Sequence, residues 1–339
     1  MASKQILKIQ KIGFQWEMES PFLFCAHHKD NYPEGNKEQG IAESLSGRNI
    51  GSDFSGKDGF SMYHGETVPG FPVHPHRGFE TVTIILKGLV DHFDSKGSKG
   101  RYGNGDVQWL TTGSGCQHAE MFPLINQDQG NPAELFQIWL NLPAKDKFTE
   151  PAYKMLWSED IPEIRIEGNR GGNSTVKLIS GSIQGRSGLE PCPASWANDK
   201  QNHVGIFLFH MKPGAAITLP SVSDTLVRNL YFYEGAGVIK IQDEAIPSSN
   251  RVKLSGNEEI SLTNGDKESF LLLLEGKPIR EAVAQYGPFV MTTEQEVRDA
   301  FADFRKTEFG GWPWDRPDPV NEITAGRFAR HADGTTESR

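Results

Sequence analysis

Short apolar, β-branched runs recur along this chain, each cut off by Gly, Pro, Asn or Asp. Examples are Phe79–Leu86, Gly105–Leu110, Leu135–Leu140, Val176–Ile179, Val204–Met211, Asn229–Tyr233, Gly237–Ile241 and Phe270–Leu274. Runs of strand length at this spacing predict sandwiches or barrels. The 36 glycines and 20 prolines supply the turns and favour an all-β architecture over helix bundles. One segment reads differently. Thr293 and Glu296 form a capping-box pattern, and Val297, Ala300, Phe301 and Phe304 follow at the three-and-four spacing of an apolar helix face, predicting a helix over Thr293–Lys306.

At 339 residues the chain is long for one core and comfortable for two domains. A faint repeat supports two. Thr83-Ile-Ile-Leu-Lys-Gly88 is followed by Asn104-Gly-Asp106, and Leu230-Tyr-Phe-Tyr-Glu-Gly235 by Asn264-Gly-Asp266. Each copy reads as strand, glycine turn, further strands, then a tight Asn-Gly turn into another strand. Two related barrels in tandem are expected, with a junction near Pro143–Pro151. The first spans 1–145, the second 146–290, and a C-terminal helix and tail 291–339. The tail carries Trp312-Pro-Trp314, expected to pack on the body before the chain frays. Ala26–Val68 is rich in Gly, Ser, Asp, Asn and Lys and lacks periodicity. It reads as an inserted loop, either a lid or a mobile excursion without catalytic duty.

A formal charge of −9 argues against direct nucleic-acid binding, which needs a basic face. Cys25, Cys116 and Cys192 form no CxxC pair and no disulfide framework, which suits a reducing cytoplasm. No secretory signal is evident at the N-terminus, and no stretch approaches the length of a membrane span.

The chemistry concentrates in two short motifs. His74-Pro75-His76 stands before the run from Phe79 to Gly88, and His118-Ala119-Glu120 follows the turn-rich Thr111–Gln117. Residues two apart on a strand project to one side. The motifs therefore offer three imidazoles and a carboxylate, a set suited to one divalent transition metal such as iron. Glu80, four after His76, is a rival carboxylate, and strand parity does not choose between Glu80 and Glu120. His27, His28 and His64 lie in the insertion, and as neighbours His27 and His28 splay apart. They are expected to be exposed rather than ligands. His203 and His210, seven apart, face opposite sides of a regular strand and read as core or surface residues, which leaves the second barrel metal-free. Cys116 shares a face with His118, where a small buried residue is the simpler role than a thiolate ligand. Arg77 is expected to point away from the imidazoles into a salt bridge or solvent. Phe71, Phe79, Trp109, Met121 and Phe122 are either a wall for a flat substrate or ordinary core.

These residues resemble the pirin family, two-barrel members of the cupin superfamily. The resemblance runs through Ser20-Pro-Phe-Leu-Phe24, Phe71–Gly88, Gly105-Asp-Val-Gln-Trp109, His118-Ala-Glu-Met121, Glu281 and Gly287-Pro-Phe-Val-Met-Thr292. It implies two tandem jelly-roll-like barrels and a single iron-type ion in the first, held by His74, His76, His118 and Glu120. Glu80 then becomes a candidate for fixing an imidazole's tautomer. The resemblance further implies quercetin 2,3-dioxygenase-type cleavage of a flavonol-like molecule by O2, with Glu120 as both ligand and general base. Imidazole also suits nickel, manganese, cobalt and copper. The competing expectation is a non-catalytic redox-sensing regulator that binds a protein partner, and a third is a cupin isomerase or small-molecule binder.

Overall fold

A computed structural model describes residues 5–13, 15–167 and 173–339. The regular structure of the described residues is mostly strand, with one α-helix, α1 (Glu294–Thr307). The chain divides into two compact units, and the division is not linear. One unit holds the chain up to Cys25 together with Glu159–Arg280. The other holds Ala26–Ser158 together with Glu281–Arg339. The expected bounds at 145 and 290 are thus corrected. Strand β1 (Ile6–Lys11) pairs with Asn250–Leu254 and completes a sheet of the later unit, while the helix and tail belong to the unit that begins at Ala26.

That second unit carries the motifs. Its strands are β2 (Phe22–Tyr32), β3 (Gly70–His76), β4 (Phe79–Lys87), β5 (Leu89–Asp94), β6 (Lys99–Gly103), β7 (Val107–Thr111), β8 (Cys116–Met121), β9 (Asn131–Asn141) and β10 (Ala152–Leu156). A five-stranded sheet runs β10-β7-β4-β9-β2. A six-stranded sheet runs β6-β5-β8-β3 after two late strands, Thr336–Ser338 and Phe328–Arg330. The β-branched run of β4 is buried on both faces, as its position between two neighbours in a covered sheet requires. In contrast β3 is an edge strand, the place where Pro72 and Pro75 cost no ladder bond. The turn before β7 is a true left-handed one, with Asn104 at φ 50° and Gly105 at φ 107°. Its counterpart in the repeat is not of that kind. Asn264 ends a strand, and its amide donates to the carbonyls of Met211, Lys212 and Lys267.

Residues 26–68 are not a bare loop. β2 was invisible to period-two reading because Cys-Ala-His-His-Lys-Asp-Asn does not alternate. Beyond it, Ile41, Phe60, Met62 and Tyr63 enter a core cluster with Tyr102, Phe122 and Leu135. The tail also stays engaged rather than fraying. Trp314 Nε1 donates to the Asp94 carbonyl at 2.9 Å, and Phe328–Arg330 pairs with β6. The buried Arg101 guanidinium grips Asp91 through two 2.7 Å bonds and donates to the carbonyls of Glu322 and Ala325. Helix α1 begins at the predicted cap, with Thr293 and Glu296 bonded reciprocally.

The other unit pairs a seven-stranded with a four-stranded sheet. It holds an aliphatic and aromatic core that includes Phe207, Phe209, Leu230, Phe232, Leu271 and Leu273, and it also buries an Arg228–Glu275 ion pair. No helix among the described residues is long and apolar enough to cross a membrane. All three cysteines are buried and none is in a disulfide.

Candidate metal centre

Strand β8 lies between β5 and β3, and its inward face carries His118 and Glu120. Across the ladder His74 stands directly opposite His118, and a register shift between Phe71 and His74 brings the His-Pro-His segment into place. The ligand atoms of His74, His76 and His118 all lie within 4.8 Å of one another. The rings of His74 and His118 are 4.5 Å apart, and those of His76 and His118 5.0 Å.

Tautomers follow from the surroundings. His74 Nδ1 faces the Pro72 carbonyl at 2.8 Å and His76 Nδ1 the Pro288 carbonyl at 3.4 Å. A carbonyl only accepts, so each Nδ1 carries the proton and each Nε2 a lone pair. Both nitrogens of His118 are buried without a hydrogen-bond partner. Burial pushes the proton affinity of all three rings down, His74 to about 4, so they are neutral at neutral pH. Three neutral imidazoles, one of them orphaned in the interior, fit a divalent cation, which supplies the partner that burial otherwise denies them.

Glu120 Oε2 is 3.7 Å from His118 Nε2. Its carboxylate is held from the facing sheet. The Thr83 hydroxyl on β4 lies 3.0 Å from Oε1 and 2.6 Å from Gln137 Oε1, its one proton shared between these acceptors, and Gln137 on β9 donates to Oε2 at 2.7 Å. Burial raises its proton affinity, while nearby His92 and the bonds from Thr83 and Gln137 oppose that rise. Glu80 lies elsewhere. It pairs with Thr111 across the ladder and takes hydrogen bonds from Thr111 at 2.6 Å and Trp109 at 3.0 Å, on the face of β4 opposite Thr83. The tautomer-fixing role expected of Glu80 therefore falls to backbone carbonyls.

Among the expected wall residues, Phe79 lies 5.1 Å from the His76 ring and Phe71 6.4 Å from His74. Trp109 sits with Glu80, away from the imidazoles, and Met121 alternates to the opposite side from Glu120. Cys116 is buried with its thiol pushed up to about 12, so it is no thiolate. Arg77 pairs with Asp303 and donates to the Ser114 carbonyl, the expected salt bridge in a buried setting. His27 and His28 do splay, yet neither is exposed. His27 bonds Glu134 at 3.1 Å, and His28 Nδ1 meets the Tyr63 hydroxyl at 2.9 Å. His203 is exposed, and His210 is half-buried against Glu268.

Sequence reasoning missed Thr83, Gln137 and Trp139, whose ring lies 5.4 Å from His76. A signal for Gln137 existed: it is a lone amide within the apolar run Leu-Phe-Gln-Ile-Trp of β9.

Two strand-built units, one enclosing an imidazole cluster and the other an apolar interior, define a two-domain cupin. Residues 8–140 match the family model described as Pirin, and residues 206–310 match Pirin C-terminal cupin domain. Human Pirin is 35% identical over 256 residues, covering 74% of this chain and 81% of that protein. A Pirin-like protein of Solanum lycopersicum is 36% identical over 240 residues, covering 70% and 75%. The crystal structure of quercetin 2,3-dioxygenase from Acinetobacter baumannii superposes with a TM-score of 0.71 at 26% identity, covering 91% of this chain and 99% of that one. The chain belongs to the pirin family.

Proposed function

We propose that this chain is a mononuclear metalloprotein that cleaves a flavonol-like aromatic with O2, in a reaction of the quercetin 2,3-dioxygenase type. The observation that carries the reading is the convergence of three neutral imidazoles on one point, one of them with both nitrogens buried and unpartnered. The name borne by the Acinetobacter structure supports the substrate class.

In this reading His74 and His76 through Nε2, with His118 and Glu120, hold one divalent ion, Fe(II) by choice. That ion supplies Lewis acidity and a template for substrate and dioxygen. The rest is the work of side chains. Glu120 takes the proton of the flavonol hydroxyl, and its buried setting raises its affinity for that proton. Thr83 and Gln137 hold the carboxylate in place while the charge moves. Phe79 and Trp139, with rings 4.3 Å apart, put an apolar wall beside His76 that keeps water from it.

The test is to load the protein anaerobically with ferrous ion, add quercetin and oxygen, and follow flavonol absorbance and carbon monoxide. Turnover is expected, and it should vanish in His76→Ala. Full metal occupancy without turnover would sink the enzymatic reading and leave a redox-responsive regulator.

A further inference from the structure

Beyond the four ligand residues, strand β2 and the segment between β2 and β3 together build a second polar device next to the metal centre. Asp30 is buried and accepts two hydrogen bonds, from the Ser61 amide at 2.8 Å and the Tyr63 hydroxyl at 2.7 Å. The Tyr63 proton is thereby committed to Asp30. The tyrosine oxygen is left to accept, and the group facing it at 2.9 Å is His28 Nδ1. Nδ1 must then carry the proton, and His28 Nε2 is fixed as a lone pair. Burial lowers this ring's pKa to about 4, so it is neutral at neutral pH.

The surroundings of the ring are aromatic. The His28 ring lies 5.7 Å from Phe71, which is itself 6.4 Å from His74. Phe71 also contacts Tyr63 at 5.1 Å and His64 at 5.9 Å, and Phe54, which is exposed, touches both Tyr63 and His64. His28 is thus one aromatic ring away from the metal-ligating face, at the edge of a patch of rings. Flat aromatic molecules favour such rings, and a neutral imidazole with a fixed lone pair accepts from a hydroxyl.

We infer that His28 is a substrate-binding residue: its Nε2 accepts a hydrogen bond from a phenolic hydroxyl at the end of the substrate remote from the metal, with Asp30 and Tyr63 as its positioning residues. The inference rests on the metal-centre reading above and narrows its substrate class to polyhydroxylated planar aromatics spanning more than one ring.

Two probes test it. Quercetin carries hydroxyls on all its rings, whereas 3-hydroxyflavone keeps only the one nearest the proposed metal. Binding to the ferrous protein is followed anaerobically by quenching of tryptophan fluorescence. His28→Ala is expected to weaken quercetin about 5- to 10-fold, the worth of one hydrogen bond. It should leave 3-hydroxyflavone affinity and metal content unchanged. His28→Gln, which keeps an acceptor oxygen, should recover part of the loss, and Tyr63→Phe should show a smaller loss of the same selectivity. These two variants carry the test if His28→Ala fails to fold. Equal effects on both probes, or none, overturn the inference while turnover by the unaltered protein keeps the proposed function standing. Selective binding without turnover overturns the dioxygenase reading and leaves His28 in its role. Failure of the unaltered protein to bind either flavonol overturns both.

Discussion

At the scale of single residues the proposed ligand set was half legible. The His-x-His spacing shows because strand parity is local, and His118-Ala-Glu120 shows for the same reason. The choice between Glu80 and Glu120 was not legible. It depends on which face of β4 looks across to β8, and the contacts of Thr83 and Gln137 with Glu120, made from a different sheet, are what favour Glu120 in the proposed function. Those two residues carry a prediction. Hydrogen bonds that orient a ligand commonly govern metal affinity by about 10- to 100-fold, so Gln137→Ala should lose metal by that factor in chelator competition, with the melting temperature of the metal-free protein little changed. Affinity equal to that of the unaltered protein would remove Gln137 from the site. A second prediction concerns pH. Unfolded histidine takes its proton near 6.5, whereas burial holds the folded His74 and His28 to about 4 and His76 and His118 well below 6.5. These groups contribute stability in full above pH 6.5 and lose it as pH falls toward 4. Glu120, Asp30 and Glu275, with burial-raised proton affinities, act in the opposite sense, but they are three groups against four. Thermal melts of the metal-free protein should therefore fall between pH 6.5 and 4, and a flat profile would contradict the buried neutral rings.

At the scale of elements, the long β-branched strands and α1 could be read directly, because their signals lie within one window. What escaped was pairing. β3 looks like a strand, yet its free edge is held by distant carbonyls: Val73 donates to Pro317, and Arg77 to Pro288. Nothing near His74 announces this. The tail is anchored in turn by Arg101, whose removal leaves Asp91 buried and uncompensated. Breaking such a pair typically costs about 3–5 kcal/mol. Arg101→Ala should lower stability to urea by that order and expose residues 311–339 to protease. By contrast Thr293→Ala, which opens only the capping box of α1, should cost about 1 kcal/mol and spare the tail. Equal proteolysis of the two variants would refute the anchoring role.

For the whole molecule, the two-barrel plan was legible from the recurrence of strands, while the crossing of the termini was not. β1 gives no hint that its partner lies at Asn250–Leu254. Translation makes that crossing consequential. The unit that gathers the imidazoles is completed by Glu281–Arg339, which leave the ribosome only after the roughly 120 residues of Glu159–Arg280. At about 5–20 residues per second that is a delay of roughly 6 to 24 s. During it a nascent chain already displays His74, His76 and His118 but lacks the Pro288 and Pro317 carbonyls that secure β3. If the proposed function holds, ribosome-stalled chains ending before residue 281 should therefore fail to retain a divalent metal that the released protein keeps, which makes metal capture a late event in biogenesis, gated by the last segment to be made.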